Sequence, residues 1–252
     1  RVPSVCPECK SSEGFNGLGF GTHRLEQELT LCYPEAKILR MDADTTSKKS
    51  AHEKLLTSFG NKEADILVGT QMIAKGLDYP DVTLVGVLNA AAGLSRSDYR
   101  SSELTFDLIT QASGRSGRSD KEGKVVLQVM DVEDYAVQAA IHQDYREFFV
   151  KEMNYRRVAK YPPYYYLIEI VVRNRDKDAA KGCAERIKEG LQGDFVLVGP
   201  GELMKQADFY RYRILMKGKD LKAMKEAARA VVELKKKEKS SISIDIEPMV
   251  LE

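Results

Sequence analysis

The chain has 252 residues, 43% of them hydrophobic and 31% charged, which is room and apolar mass for one large domain or two ordinary ones and not the composition of a disordered chain. The net charge of +1 hides an asymmetry: residues 1–150 carry 17 Lys/Arg against 22 Asp/Glu, whereas residues 151–252 carry 22 against 16. No apolar run approaches the ~20 residues of a membrane span, the N-terminal Arg1-Val2-Pro3-Ser4-Val5-Cys6 has no signal-peptide core, and four cysteines do not make a disulfide scaffold. A cytosolic protein in two parts is expected, its basic second part suited to a polyanion. The chain does not begin with Met, so we expect a piece of a longer polypeptide.

Residues 22–32 read as a helix with Leu25 and Leu29 on one face and Thr22 as N-cap. Residues 38–42 read as a strand, 48–59 as a helix, 65–70 as a strand ending in a Gly-Thr loop, and 82–88 as a strand. Residues 103–113 are helical, 124–130 a strand, and 134–150 one long helix. This alternation predicts an α/β class with a parallel sheet, in which ligands bind beyond the C-terminal ends of the strands. Tyr161-Pro162-Pro163-Tyr164-Tyr165-Tyr166 marks a boundary. A strand (166–173), a helix (177–191), two short strands (195–198 and 210–217), a helix (219–236) and a strand (242–246) follow. That β-α-β-β-α-β order predicts a ferredoxin-like α+β domain.

Two segments carry chemistry. In Gln111-Ala112-Ser113-Gly114-Arg115-Ser116-Gly117-Arg118, two arginines three apart offer rigid donor forks that match phosphate oxygens, with glycines that let the backbone come close. The same spacing also suits an exposed Gly/Ser-rich turn. In Gly69-Thr70-Gln71-Met72-Ile73-Ala74-Lys75-Gly76-Leu77-Asp78, a strand delivers a hydroxyl, an amide, a Lys, a Gly and an Asp into one loop. That loop could hold a phosphate or could be an ordinary connection with Asp78 as a cap. On the strand Phe209-Tyr210-Arg211-Tyr212-Arg213, Arg211 and Arg213 share one face and the tyrosines the other, an arrangement open either to DNA contact or to a plain core-and-surface sheet. Cys6-x-x-Cys9 is half of a tetrahedral zinc site. Cys32 and Cys183 read as buried thiols, and His23, His52 and His142 as surface residues.

Together, in this order and about forty residues apart, the two segments resemble motifs V and VI of superfamily-two helicases, and more narrowly the PriA-type primosomal helicase family. Cys6-Pro7-Glu8-Cys9, Gly19-Phe20-Gly21-Thr22, Arg40-Met41-Asp42-Ala43-Asp44-Thr45-Thr46, Asp98-Tyr99-Arg100-Ser101-Ser102-Glu103, Tyr161-Pro162-Pro163-Tyr164, Gly199-Pro200 and Ile244-Asp245-Ile246-Glu247-Pro248 carry the likeness along nearly the whole chain. The resemblance implies a remnant of a zinc-binding module over 1–10, a RecA-like second helicase lobe over 11–155 and a C-terminal α+β domain over 156–252. It implies an ATP- and magnesium-dependent 3′–5′ DNA helicase of the bacterial cytoplasm and nucleoid. Such an enzyme unwinds forked DNA and initiates primosome assembly in replication restart, with single-stranded DNA, primosome proteins and single-stranded-DNA-binding protein as partners. By that resemblance Arg118 is the arginine finger, with Arg115 and Gln111 on the same phosphate-facing edge. Gly76 and Asp78 couple DNA contact to the nucleotide. Thr70, Gln71, Lys75, Arg211 and Arg213 contact DNA, and Cys6 and Cys9 supply half of a zinc site completed by upstream cysteines.

The chain departs from the family pattern at Leu77, Ala91 and His23, where the resemblance leads one to expect His, Asp and Glu. It also lacks a Gly-x-x-x-x-Gly-Lys-Ser/Thr phosphate loop. We therefore expect it to correspond to lobe two plus the C-terminal domain, inactive alone towards ATP and without stable zinc. Two other readings stand beside the first: a non-catalytic DNA-binding or primosome-protein docking module, and a lobe of a RecG-type or chromatin-remodelling motor.

Overall fold

A computed structural model describes residues 21–42, 51–70, 79, 81–90, 94, 98–114, 123–235 and 238–251. The chain divides into two compact units, one of residues 1–85 with 111–125 and one of 86–110 with 126–252.

In the first unit the order is α1 (Thr22–Cys32), β1 (Ile38–Met41), α2 (Ala51–Gly60) and β2 (Ile66–Gly69). β1 and β2 pair in parallel, from Ile38 opposite Ile66 to Met41 opposite Gly69. Thr22 does not cap α1. The N-cap is Gly21, and the Thr22 hydroxyl instead donates to Asp42 Oδ2 at 2.6 Å. Tyr79 packs edge-on against Phe59 of α2 and donates its hydroxyl to the Leu56 carbonyl at 2.8 Å. Cys32, expected to be buried, is exposed. α1 has no buried residue for it to join.

β3 (Leu84–Val87) and β4 (Lys124–Leu127) form a second two-stranded sheet. The Lys124 N–H bonds the Thr83 carbonyl and the Gln128 N–H bonds the Val87 carbonyl, a constant offset that marks parallel pairing.

The second unit holds α3 (Ser101–Ser113) up to Thr110 and everything from Val126 onward. The single helix expected over 134–150 is two helices, α4 (Tyr135–Ile141) and α5 (Tyr145–Val158). Gln143 breaks it with a left-handed φ of 54°, and the Asp144 carboxylate accepts the Glu147 N–H as a new N-cap. Ile109, Phe106, Val137 and Phe148 pack α3, α4 and α5 into one core.

The remaining elements are β5 (Tyr166–Asn174), α6 (Lys177–Gly190), β6 (Phe195–Gln206), β7 (Phe209–Gly218), α7 (Leu221–Lys235) and β8 (Ser241–Ile246). Their sheet runs β6-β7-β5-β8 with every neighbour antiparallel, the ferredoxin-like arrangement expected from the element order. The hairpin β6–β7 is much longer than the two short strands expected, because β6 continues past Gly199-Pro200 through a bulge instead of stopping there. At that bulge Gly199 has φ 103°, and a Cβ would lie 2.4 Å from the Arg213 carbonyl oxygen. The two-residue turn Ala207-Asp208 has both φ angles positive, as a tight hairpin requires. Ile168, Ile170, Val172, Tyr212, Ile214 and Met216 line one sheet face and bury against α6 and α7, with Cys183 among them.

A buried ion network ties the helices of this unit together. Glu152 and Arg156, one turn apart on α5, are 2% and 7% exposed. Arg156 Nε donates to Glu152 at 2.6 Å and its Nη2 to Glu103 of α3 at 2.7 Å. The Tyr135 hydroxyl of α4 donates to the other Glu152 oxygen. Burial, and then that bond to Glu152, push the Tyr135 pKa far above its ordinary value. Burial works against the charged Arg156, and the bonds to Glu103 and Glu152 outweigh it and raise its pKa. Arg156→Leu strands the Glu152 carboxylate, and a loss of about 3–5 kcal/mol is expected. Urea unfolding checks this, and a variant as stable as the wild type contradicts the assignment.

Candidate functional site

The sequence-predicted residues fall into two groups. Cys6, Cys9, Gln71, Lys75, Gly76, Asp78, Arg115 and Arg118, with Asp44, Leu77 and Ala91, lie outside the described residues. Thr70 and Gln111 are described and exposed. Thr70 follows the last residue of β2. Asp42 follows the last residue of the adjacent parallel strand, so both sit at the carboxyl ends of a parallel pair, where this class of sheet binds ligands. Asp42 is buried there, takes the Thr22 hydroxyl, and meets Arg40 Nε at 3.2 Å. Its carboxylate therefore ties the end of β1 to the start of α1. Gln111 lies on the last turn of α3, facing water, while its neighbour Ala112 is buried. His23, His52 and His142 are scattered, and among the described residues no group of three or more His, Cys, Asp or Glu side chains is placed to hold a metal ion. No described helix is long and apolar enough to cross a membrane.

In the C-terminal sheet, strand alternation sorts the Tyr-Arg-Tyr-Arg run as expected. Tyr212 is core, 4% exposed, and no surface for stacking. Arg211 and Arg213 point to the opposite face. Register places Arg173 of β5 directly across from Arg211, and Val171 across from Arg213. Three arginines thus neighbour one another on one face. Directly opposed like charges are unfavourable in a sheet, and Glu169 on the same face meets Arg213 at 3.8 Å. At the hairpin end Arg175 lies over the Phe209 ring and Lys205 over the Tyr210 ring, at 5.5 and 4.8 Å. Arg173 was missed from sequence. The alternation Glu169-Ile170-Val171-Val172-Arg173 marks its face, but only the cross-strand register names its partner.

A second cluster joins segments far apart in the chain. Asp98 accepts the Arg100 N–H, pairs with the Arg100 guanidinium at 3.3 Å, and presents Tyr99 between them. Tyr99 stacks on Tyr161, centroids 5.3 Å apart and planes 15° from parallel. Arg156 lies 5.2 Å over Tyr99, and the Lys217 ammonium lies 3.4 Å from the Tyr161 centroid. Lys217 also donates to the Ala159 carbonyl at 2.9 Å, just past the end of α5. Leu167, Leu215 and Leu251 close this cluster from the sheet side.

Comparison with known proteins matches two successive stretches of the chain. The helicase conserved C-terminal domain matches residues 14–120, and the primosomal protein N C-terminal domain matches residues 157–249. The replication restart protein PriA of Bacillus subtilis is 44% identical over 260 residues, covering 99% of this chain and 32% of that protein. The protein of the same name from Chlamydia pneumoniae is 35% identical over 255 residues, covering 98% and 34%, and that from Haemophilus influenzae 30% identical over 258, covering 99% and 35%. The chain belongs to the PriA family, as its C-terminal region. It spans about a third of the length of these relatives.

The setting of Lys217 predicts a pH effect. Burial, and then the charges of Arg213 and Lys160, lower its pKa to about 8, whereas the unfolded chain keeps that proton to about pH 10.4. Between those values the unfolded state binds more protons, so this residue makes stability rise with pH from about 8 towards 10 and withdraws that gain as pH falls through 8. Across this window the wild-type denaturant midpoint should gain on that of Lys217→Met as pH rises. Equal slopes contradict the assignment.

Proposed function

We propose that the chain is the second motor lobe and C-terminal domain of an ATP-dependent 3′–5′ DNA helicase that acts at forked or stalled DNA and initiates primosome assembly for replication restart. The two family matches in one chain, in this order, support the motor reading. In the geometry, the observation that carries the DNA reading is the arginine row Arg173, Arg211 and Arg213 on one sheet face. Guanidinium forks at neighbouring positions suit successive phosphates of a strand, without reading base sequence.

In this reading Arg118 stabilises charge on the γ-phosphate during hydrolysis, with Arg115 and Gln111 at the same edge. Thr70, Gln71 and Lys75 hold the DNA backbone, and Gly76 and Asp78 link that contact to the nucleotide. ATP and magnesium would be held chiefly by a first lobe, because this chain has no phosphate loop. Cys6 and Cys9 would supply two of the four ligands of a zinc site. Forked and single-stranded DNA are the nucleic-acid partners, and primosome proteins and single-stranded-DNA-binding protein the protein partners. The domains divide at 1–10, 11–155 and 156–252.

The purified chain is expected to bind single-stranded DNA with an affinity that falls linearly in log salt. Arg211→Ala should reduce that slope by about 0.7, the share of one phosphate on a single strand. DNA should not stimulate ATP turnover by the chain alone. Salt-insensitive binding, or an unchanged slope in the variant, overturns the arginine row as a phosphate site. Sustained DNA-stimulated hydrolysis overturns the need for a first lobe. Absence of any DNA binding favours a protein-docking module.

A further inference from the structure

Three segments distant in sequence, each conspicuous on its own, meet at one pocket of about 330 Å³. Tyr99 comes from the turn before α3, Pro163, Tyr165 and Tyr166 from the proline–tyrosine boundary, and Glu247 and Pro248 from the end of β8. The walls are aromatic rings and pyrrolidines, and Glu247 is the charged residue among them. Its backbone is left-handed, with φ 55°, which turns the chain sharply at the end of β8. The Glu247 N–H donates to the Leu167 carbonyl at 2.9 Å, which fixes this rim to β5.

The charges beside the pocket are of the opposite sign. The ammonium groups of Lys160 and Lys219 both lie against the Tyr165 ring, 6.0 and 5.5 Å from its centroid. An apolar slot lined by one acidic residue, with two lysines against the Tyr165 ring of its wall, complements a ligand with a flat π-face, a donor on its rim and an anion attached. A nucleotide has all three. Bases stack on aromatic walls, a carboxylate accepts from the exocyclic amine of cytosine, and lysines pair with the phosphates.

We propose that this pocket binds one nucleotide of a single DNA strand, the base between the tyrosine and proline walls, its amine on Glu247 and its phosphates at Lys160 and Lys219. The proposal rests on the DNA-binding reading above and adds to it a base-reading site apart from the arginine row. The thymine rim offers no exocyclic amine, so cytosine is preferred over thymine.

The test is fluorescence anisotropy of labelled ten-residue oligo(dC) and oligo(dT) with the 252-residue chain. Tyr165→Ala should weaken oligo(dC) binding roughly 5- to 150-fold, the range of one base–aromatic stack, while Tyr165→Phe, which keeps the ring, binds as the wild type. Glu247→Gln should abolish the preference for oligo(dC) over oligo(dT). Lys160→Ala with Lys219→Ala should lower the log-salt slope by about 1.4. If the wild type binds both oligonucleotides and Tyr165→Ala binds them equally well, the pocket is not a base site. That is the result expected if it seats an apolar peptide, and the DNA reading then survives on the arginine row. A preference unchanged in Glu247→Gln also overturns the proposal. If the wild type binds neither oligonucleotide, both the pocket and the DNA reading fall.

Discussion

The Arg156 guanidinium is buried, and a buried charge without partners costs several kcal/mol. Its two carboxylate partners come from different places: Glu152 from one turn back on the same helix, and Glu103 from α3. The Tyr135 hydroxyl on Glu152 adds α4. With its remaining face Arg156 covers Tyr99, and Tyr99 stacks on Tyr161. One side chain thus sets the mutual positions of three helices and of the aromatic turn that leads into β5. Lysine in its place could not make both bonds and cover the ring, because it lacks the planar fork. The Tyr99–Tyr161 stack, the Lys217 contact beneath it and the pocket beside it all lie within reach of this network.

In the C-terminal sheet a period of two separates the apolar core face from a second face that carries the charged residues. Ile168, Ile170 and Val172 alternate with Leu167, Glu169, Val171 and Arg173, and the β7 strand alternates in step. One set forms the core against α6 and α7. The other places arginines at one end and Leu167, Leu215 and Lys217 at the other, the latter closed by Tyr161 and Leu251. A slip of one residue would exchange the two sets. The apolar set therefore fixes the register that brings Arg173 and Arg211 together.

Local signals made most elements legible. Short apolar runs located β1, β2 and β5, and the β-α-β-β-α-β order was enough for the ferredoxin-like sheet. Where the reading failed, a competing local interaction won. Asp144 recapped the chain and divided one expected helix into α4 and α5. Asp42 drew the Thr22 hydroxyl away from the helix end. The bulge at Gly199 let β6 run on where a Gly-Pro-Gly stretch suggested a stop. Cys32 lies on a helix with no buried face, which helical periodicity alone does not reveal. Motif spacing singled out Thr70 and Gln111, which lie just past β2 and on the last turn of α3. Nothing local singled out Arg173 or the pairing of Glu103 with Arg156, since partners 38 and 53 positions apart meet only through register and helix packing.

The central claim is that this region supplies half of a nucleotide-driven motor, and the residue that bears it most directly is Arg118. The decisive measurement is DNA-stimulated ATP hydrolysis by a full-length protein of this family carrying the present chain, with and without Arg118→Ala. An arginine finger contributes on the order of a thousandfold or more to turnover. The account predicts a loss of roughly a hundredfold or more with DNA binding retained. Hydrolysis at the wild-type rate would contradict it and leave the chain a binding platform without a part in the motor.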